Sequence, residues 1–251
     1  MSAPPGIDWD WATRTGGALS ARQRRQLLTP LLRSVVRYPA ARLRIALGRR
    51  GSGRLDLTAL RWPDSQLARD AEAEAREALS PHVLEHSYRT YLFGLVLASI
   101  DTVRVDEELA YVSSLLHDLQ LEHPTSGRCF AVVGGERAER FALERGADPL
   151  RAAAIGAAIA GHITPGASED LSELSGFVSA GALVDVTGGR LEELDPAWVA
   201  QILQRHPRHE LKRHLLACWA AEAAAMPAGR ARWLTTHAAF PMLIRAAPFA
   251  E

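Results

Sequence analysis

The sequence predicts an all-α protein, a helical bundle preceded by a basic helical arm, and three observations carry that expectation. Apolar residues recur at spacings of three and four from Pro63 to His237, the period of helices that bury one face. Helix starts are written repeatedly as a capping residue followed by a proline or an acid: Ser80-Pro81, Asp106-Glu107, Asp148-Pro149 and Asp195-Pro196, where the cap supplies an acceptor and the proline fits the first turn. No stretch sustains the strict alternation of a half-buried strand.

Taken in order, Leu19 to Tyr38 sets Leu28, Leu31, Leu32 and Val35 at helical spacing, with Pro30 opening that helix or kinking it. Pro39 to Arg50 reads as a second short helix. Gly51-Ser52-Gly53 offers nothing to bury and reads as a loop, dividing the chain into an arm of residues 1–54 and a body of residues 55–251. The body opens with Asp64 or Ser65 capping an Ala, Glu and Arg segment that ends near Leu79. The helix after Ser80-Pro81 runs to Ser99, and the one after Asp106 runs from Glu107 to Leu119 with Leu109, Val112, Leu116 and Leu119 as its buried stripe. Cys129 to Val133 reads as extended, Gly134 to Arg145 as helical, and the alanine-rich helix from Asp148-Pro149 ends at His162 before Thr164-Pro165-Gly166. Glu173 to Thr187 is closed by Gly188-Gly189, which suits a left-handed cap. Helices from Asp195-Pro196, Arg208 to Met226 and Arg230 to His237 complete the body.

At 251 residues and 47% hydrophobic, the chain can bury a core without staples, so a metal here is expected to act rather than to hold the fold together. Two cysteines do not make a disulfide scaffold. With no run of 18 apolar residues and no basic start followed by an apolar core, the chain reads as cytoplasmic, with no membrane insertion. Charge is balanced at 29 basic and 29 acidic residues but unevenly placed: between Asp10 and Asp56 there are eleven arginines and no acid, which leaves 18 minus 29, or −11, for the rest. The arm is therefore expected to pack on the acidic body of its own chain or of a second copy, ahead of contact with nucleic acid or an anionic surface.

Four positions put a metal ligand on otherwise apolar helices: His86, the adjacent His117-Asp118, and Asp185. A histidine and an aspartate adjacent on a helix point about 100° apart, so other helices must bring further ligands. Two imidazoles and two carboxylates suit one divalent ion, zinc first and iron or manganese after it. An unpaired carboxylate among Val178, Gly181, Ala182 and Val184 is costly, which makes ligation the favoured role for Asp185. His162, at its helix end, reads either as a cap favoured by the helix dipole or as a member of the site.

The runs Glu85-His86-Ser87-Tyr88-Arg89-Thr90, Leu115-Leu116-His117-Asp118-Leu119, Gly161-His162-Ile163-Thr164-Pro165-Gly166 and Gly181-Ala182-Leu183-Val184-Asp185-Val186, in this order, resemble the HD superfamily of metal-dependent hydrolases. The likeness spans Pro63 to Pro207 and is greater to cyanamide hydratase-like members than to those that hydrolyse nucleotides. It implies an HD-domain helical bundle, one ion held by His86, His117, Asp118 and Asp185, and activated water that attacks a nitrile-like or amide-like carbon of a small molecule. It gives Asp118 and His162 the catalytic proton and anion work, and makes Arg89 a brace for an acid such as Glu85.

Two other readings compete. A phosphohydrolase acting on a nucleotide or another phosphate ester needs extra cations, which Arg205, Arg208 and Lys212 or the arm would supply. A non-enzymatic interaction protein would use the basic arm and keep the metal only for stability. His82 and His123 read as packing or surface residues, and Cys129 as part of the cavity wall. Assembly with a second copy is left open by the charge asymmetry.

Overall fold

The computed structural model describes residues 4–251, apart from the side chains of Ser34 and Val35, so the Val35 position of the expected stripe lies outside the described residues. Among them are thirteen α-helices and no strand: α1 Trp9–Thr15, α2 Ala21–Gln26, α3 Leu28–Ala46, α4 Gln66–Ala78, α5 Pro81–Ile100, α6 Glu107–Leu116, α7 Phe130–Glu144, α8 Pro149–Gly161, α9 Leu174–Thr187, α10 Pro196–Arg205, α11 Leu211–Ala225, α12 Arg230–His237 and α13 Phe240–Arg245. Four of the caps act as the sequence predicts, whereas the Ser80 side chain makes no capping hydrogen bond and α5 starts on Pro81 alone. Ser65 accepts from the Ala68 N–H, Asp106 from Leu109, Asp148 from Leu150 and Asp195 from Ala197, each relieving an amide that the helix start leaves unpaired. Gly188 closes α9 at φ 75°, a left-handed conformation that a Cβ would strain.

Five elements differ from the sequence expectation. α3 runs through Pro39 to Ala46, because the proline ring keeps a helical φ and forfeits one backbone hydrogen bond without forcing an end. Residues 130–133 are helical rather than extended, since the buried Glu222 side chain accepts from the Phe130 N–H at 3.0 Å and caps α7 from 92 residues away. α6 stops at Leu116, so His117 and Asp118 lie in the turn beyond it. α1 and α13 are short helices that sequence periodicity did not mark.

Apolar side chains form two clusters. The larger joins α4, α5, α6, α8, α9 and α10 around Tyr91, Phe93, Leu115 and Phe177. The second gathers Trp11, Leu19 and Leu27 with Phe130, Leu215, Trp219 and Trp233. The arm is thus not a separate appendage at its start: α1 and the residues flanking α2, Leu19 and Leu27, are part of this second core, and the Leu19 and Cys129 N–H groups donate to the Ala228 and Gly16 carbonyls. Trp11 is 4% exposed, with the Arg230 guanidinium 5.4 Å from its ring centre. Trp11→Ala is expected to cost about 3–5 kcal/mol in urea unfolding; a loss under about 1 kcal/mol, the range of surface changes, would detach the arm from the core.

Close helix packing places the site. A Cβ at Gly181 would overlap the Thr90 carbonyl oxygen, and one at Gly94 would overlap the Phe177 ring, so these glycines let α5 and α9 approach until His86 and Asp185 touch. Asp185 lies between Val184 of one apolar cluster and Val186 of the other, and Asp118 and His162 lie within two residues of similar crossings, Leu119 to Leu121 and Ile159 to Ala160.

Candidate metal centre

His86 projects from the second turn of α5, while His117 and His162 occupy the C-terminal ends of α6 and α8. The two terminal histidines are held alike. His117 Nδ1 donates to the Ser114 carbonyl at 2.8 Å, and His162 Nδ1 to the Ile159 carbonyl at 2.6 Å, each three residues back. His86 Nδ1 donates to Asp185 Oδ2 at 2.7 Å. With every Nδ1 committed as a donor, the tautomer that these bonds assign leaves each Nε2 with a bare lone pair.

Those lone pairs converge. His117 Nε2 lies 3.3 Å from His86 Nε2 and 3.3 Å from Asp118 Oδ2, with His86 Nε2 3.8 Å from the same oxygen. His86, His117 and Asp118 form a buried group whose ligand atoms all lie within 4.8 Å of one another. His162 Nε2 adds an approach to Asp118 Oδ1 at 3.6 Å. Several acceptors face one another here with no donor among them, an arrangement that a cation relieves. The C-terminal ends of α6 and α8 add negative potential at the same point.

The electrostatics agree with that geometry. Burial would raise the Asp118 pKa, but the adjacent imidazoles, His117 foremost, hold it well below the usual carboxylate range. Burial opposes a proton on His117, and Asp118 outweighs it, so the His117 pKa is raised. His86 is lowered by burial. Burial, and after it His117, pushes His162 down to about 3, so it is neutral at pH 7. The residues present fit a divalent ion: nitrogen and oxygen donors, buried and tightly grouped, with the raised His117 pKa marking where a cation would take the place of a proton.

Asp185 occupies a different place from the one expected of a ligand. It stands behind His86, where Oδ2 accepts from His86 Nδ1 and from Arg89 Nη2 at 2.9 Å, and Oδ1 from Arg89 Nε at 2.9 Å and from Arg208 Nη1. Burial opposes its charge, but the two guanidiniums hold its carboxyl far below the usual range. A carboxylate so engaged fixes the tautomer and ring plane of His86. Arg89 accordingly braces Asp185 rather than Glu85, whose partner is His206 Nδ1 at 2.7 Å.

Other expected positions separate from the centre. His82 is stacked on His214 at 4.3 Å, at the half-exposed edge of the protein, and His123 follows the turn after Asp118 without joining the group. Cys129 is buried as the residue preceding α7, with Arg230 Nη2 3.4 Å from its sulfur. Three side chains near the site were missed by sequence reasoning. Arg208, expected only as a cation for a phosphate ester, is 4% exposed and turned to Asp185; Glu222 and Arg230 were not singled out and are 0% and 1% exposed. The signal for Arg208 was the demand of a buried Asp185 for cations, and for Glu222 and Arg230 there was none, because their partners are distant in sequence. Compared with family models and with curated proteins, the chain matches none.

Proposed function

We propose that the protein is a metal-dependent hydrolase or hydratase of the HD type, acting on a small molecule with an electrophilic nitrile-like or amide-like carbon. The observation that carries this reading is the convergence of the His86 and His117 Nε2 atoms and the Asp118 carboxylate at one buried point, with His162 Nε2 facing the other Asp118 oxygen. His86, His117 and Asp118 would hold one divalent ion, zinc first among them, with Asp185 setting the orientation of His86. An ion bound there would polarise the substrate and lower the pKa of a water to near neutrality.

The chain's own groups supply the proton handling. With Nδ1 tied to Ile159, the neutral His162 leaves Nε2 to accept a hydrogen bond from the attacking water and orient it. Asp118 Oδ1, 3.6 Å from that nitrogen, shares the water's proton as it passes to the atom that gains charge. His86, His117, Asp118 and His162 are at most 6% exposed, which suits a compact substrate.

The phosphate-ester alternative is the weaker one on this geometry. Arg208 already serves Asp185 and Glu251, and Lys212 donates to the Phe249 carbonyl at 2.6 Å, so these cations are occupied away from the centre. The test is turnover by the zinc-, iron- and manganese-loaded protein on cyanamide, short nitriles and amides, set against generic phosphate esters. Turnover of the carbon electrophiles supports the reading, turnover of the esters alone replaces it with the alternative, and none at all favours a non-enzymatic role.

His162 separates chemistry from metal retention. His162→Ala is expected to keep its ion and fold while losing about 10²- to 10⁴-fold in kcat, the contribution of a positioned acid or base. Metal analysis beside steady-state kinetics checks it, and loss of the ion as complete as in His86→Ala would place His162 among the ligands.

A further inference from the structure

Helix α3 carries apolar residues on two opposite sides. Leu31, Tyr38 and Ile45 are half-buried toward the body. On the other side Leu28, Leu32, Val36, Leu43 and Leu47 are 39% to 76% exposed. At about 100° per residue these five fall within an arc of about 100°, and at 1.5 Å per residue they form a stripe about 29 Å long. The remaining large apolar side chains exposed among the described residues, Trp62, Ile100, Leu143, Leu150 and Met242, lie on five other segments. Scattered apolar residues need no partner, whereas a continuous stripe marks a contact surface.

Charge identifies the partner. Exposed Arg33, Arg37 and Arg44 run along one edge of the stripe, Arg49 follows its end, and residues 11–55 contain no acid. The body takes up little of this charge: among the described residues, two ion pairs join the arm's arginines to it, Arg33 with Glu169 at 3.6 Å and Arg54 with Asp195 at 3.4 Å. A second copy docking through the same helix would set both arginine rows along one seam with no acid in α3 to oppose them. A nucleic acid would match the arginines and leave the leucines facing phosphates.

We propose that this face of α3 docks on an anionic lipid surface, the leucine stripe lying in the headgroup and acyl boundary and the arginines on the phosphates. A basic helix with one apolar face binds in this way, by buried apolar area together with attraction to anionic headgroups. The helix lies on the surface, since no helix among the described residues is long and apolar enough to cross a membrane. The metal centre takes no part in this contact.

The test is co-sedimentation of the full chain with vesicles of phosphatidylglycerol mixed into phosphatidylcholine, beside vesicles of phosphatidylcholine alone. Binding is expected to be about tenfold or more greater to the anionic vesicles and to fall as salt rises. Leu32→Gln with Leu43→Gln, and separately Arg37→Gln with Arg44→Gln, are each expected to lower anionic binding about tenfold or more with unchanged circular dichroism. Absence of binding to either vesicle overturns the proposal. So does binding that the leucine pair leaves unchanged, the result for a purely electrostatic contact. A dimer that the leucine pair converts to monomer, with no vesicle binding, gives the stripe to a second copy instead.

Discussion

His117→Ala is expected to give a folded protein that has lost its divalent ion and its turnover together. The imidazole contributes one of three ligand atoms grouped within 4.8 Å, and it lies nearest both His86 Nε2 and Asp118 Oδ2, at 3.3 Å from each. Its removal opens the centre of the group rather than its edge. Loss of a residue that merely orients a ligand costs about 10- to 100-fold in metal affinity, so loss of the ligand itself should exceed that. Metal content per chain after dialysis, read beside circular dichroism, decides it; normal content would mean that the ion sits elsewhere.

Asp185→Ala is expected to fail differently, by unfolding. The carboxylate is 0% exposed and takes hydrogen bonds from Arg89, Arg208 and His86. Alanine would leave the Arg89 guanidinium buried without a counter-charge and Arg208 with Glu251 alone, and breaking a buried pair in that way costs about 3–5 kcal/mol. Urea unfolding of this variant should therefore show a far larger loss of stability than that of His117→Ala. If Asp185→Ala instead keeps its stability and loses the ion as fully as His117→Ala, Asp185 is a ligand and the arrangement behind His86 gives way to direct coordination.

What could be read from sequence was whatever depends on neighbours in the chain. The helices from Gln66 to Ile100 and from Pro149 to Arg205 follow from local caps, Pro at first turns and Gly188. His86, His117 and Asp118 stood out because titratable groups on apolar helices need a partner, and they do meet. What sequence could not supply depends on residues far apart. α7 begins at Phe130 because Glu222 reaches its first amide, and the arm joins the second core through Trp11 and Leu19 because α11 and α12 offer matching apolar faces.

Asp185 is the instructive case. Its burial was legible, and a buried carboxylate needs cations; sequence reasoning supplied a metal ion, and the fold supplies Arg89 and Arg208. Both answers satisfy the same electrostatic demand, so only three-dimensional placement separates them. His162 shows the converse. Capping its own helix and facing Asp118 looked like competing roles, yet the two ring nitrogens divide them, Nδ1 to Ile159 and Nε2 toward Asp118.

Anomalous diffraction at the absorption edge of the ion, from crystals of the zinc-loaded protein, tests the central claim most directly. One strong peak is expected among His86 Nε2, His117 Nε2 and Asp118, with nitrogen distances near 2.0–2.1 Å and with Asp185 still bound to Arg89 and Arg208. A fully loaded crystal with no peak there, or with its peak on Asp185 or at His82 and His214, would contradict it.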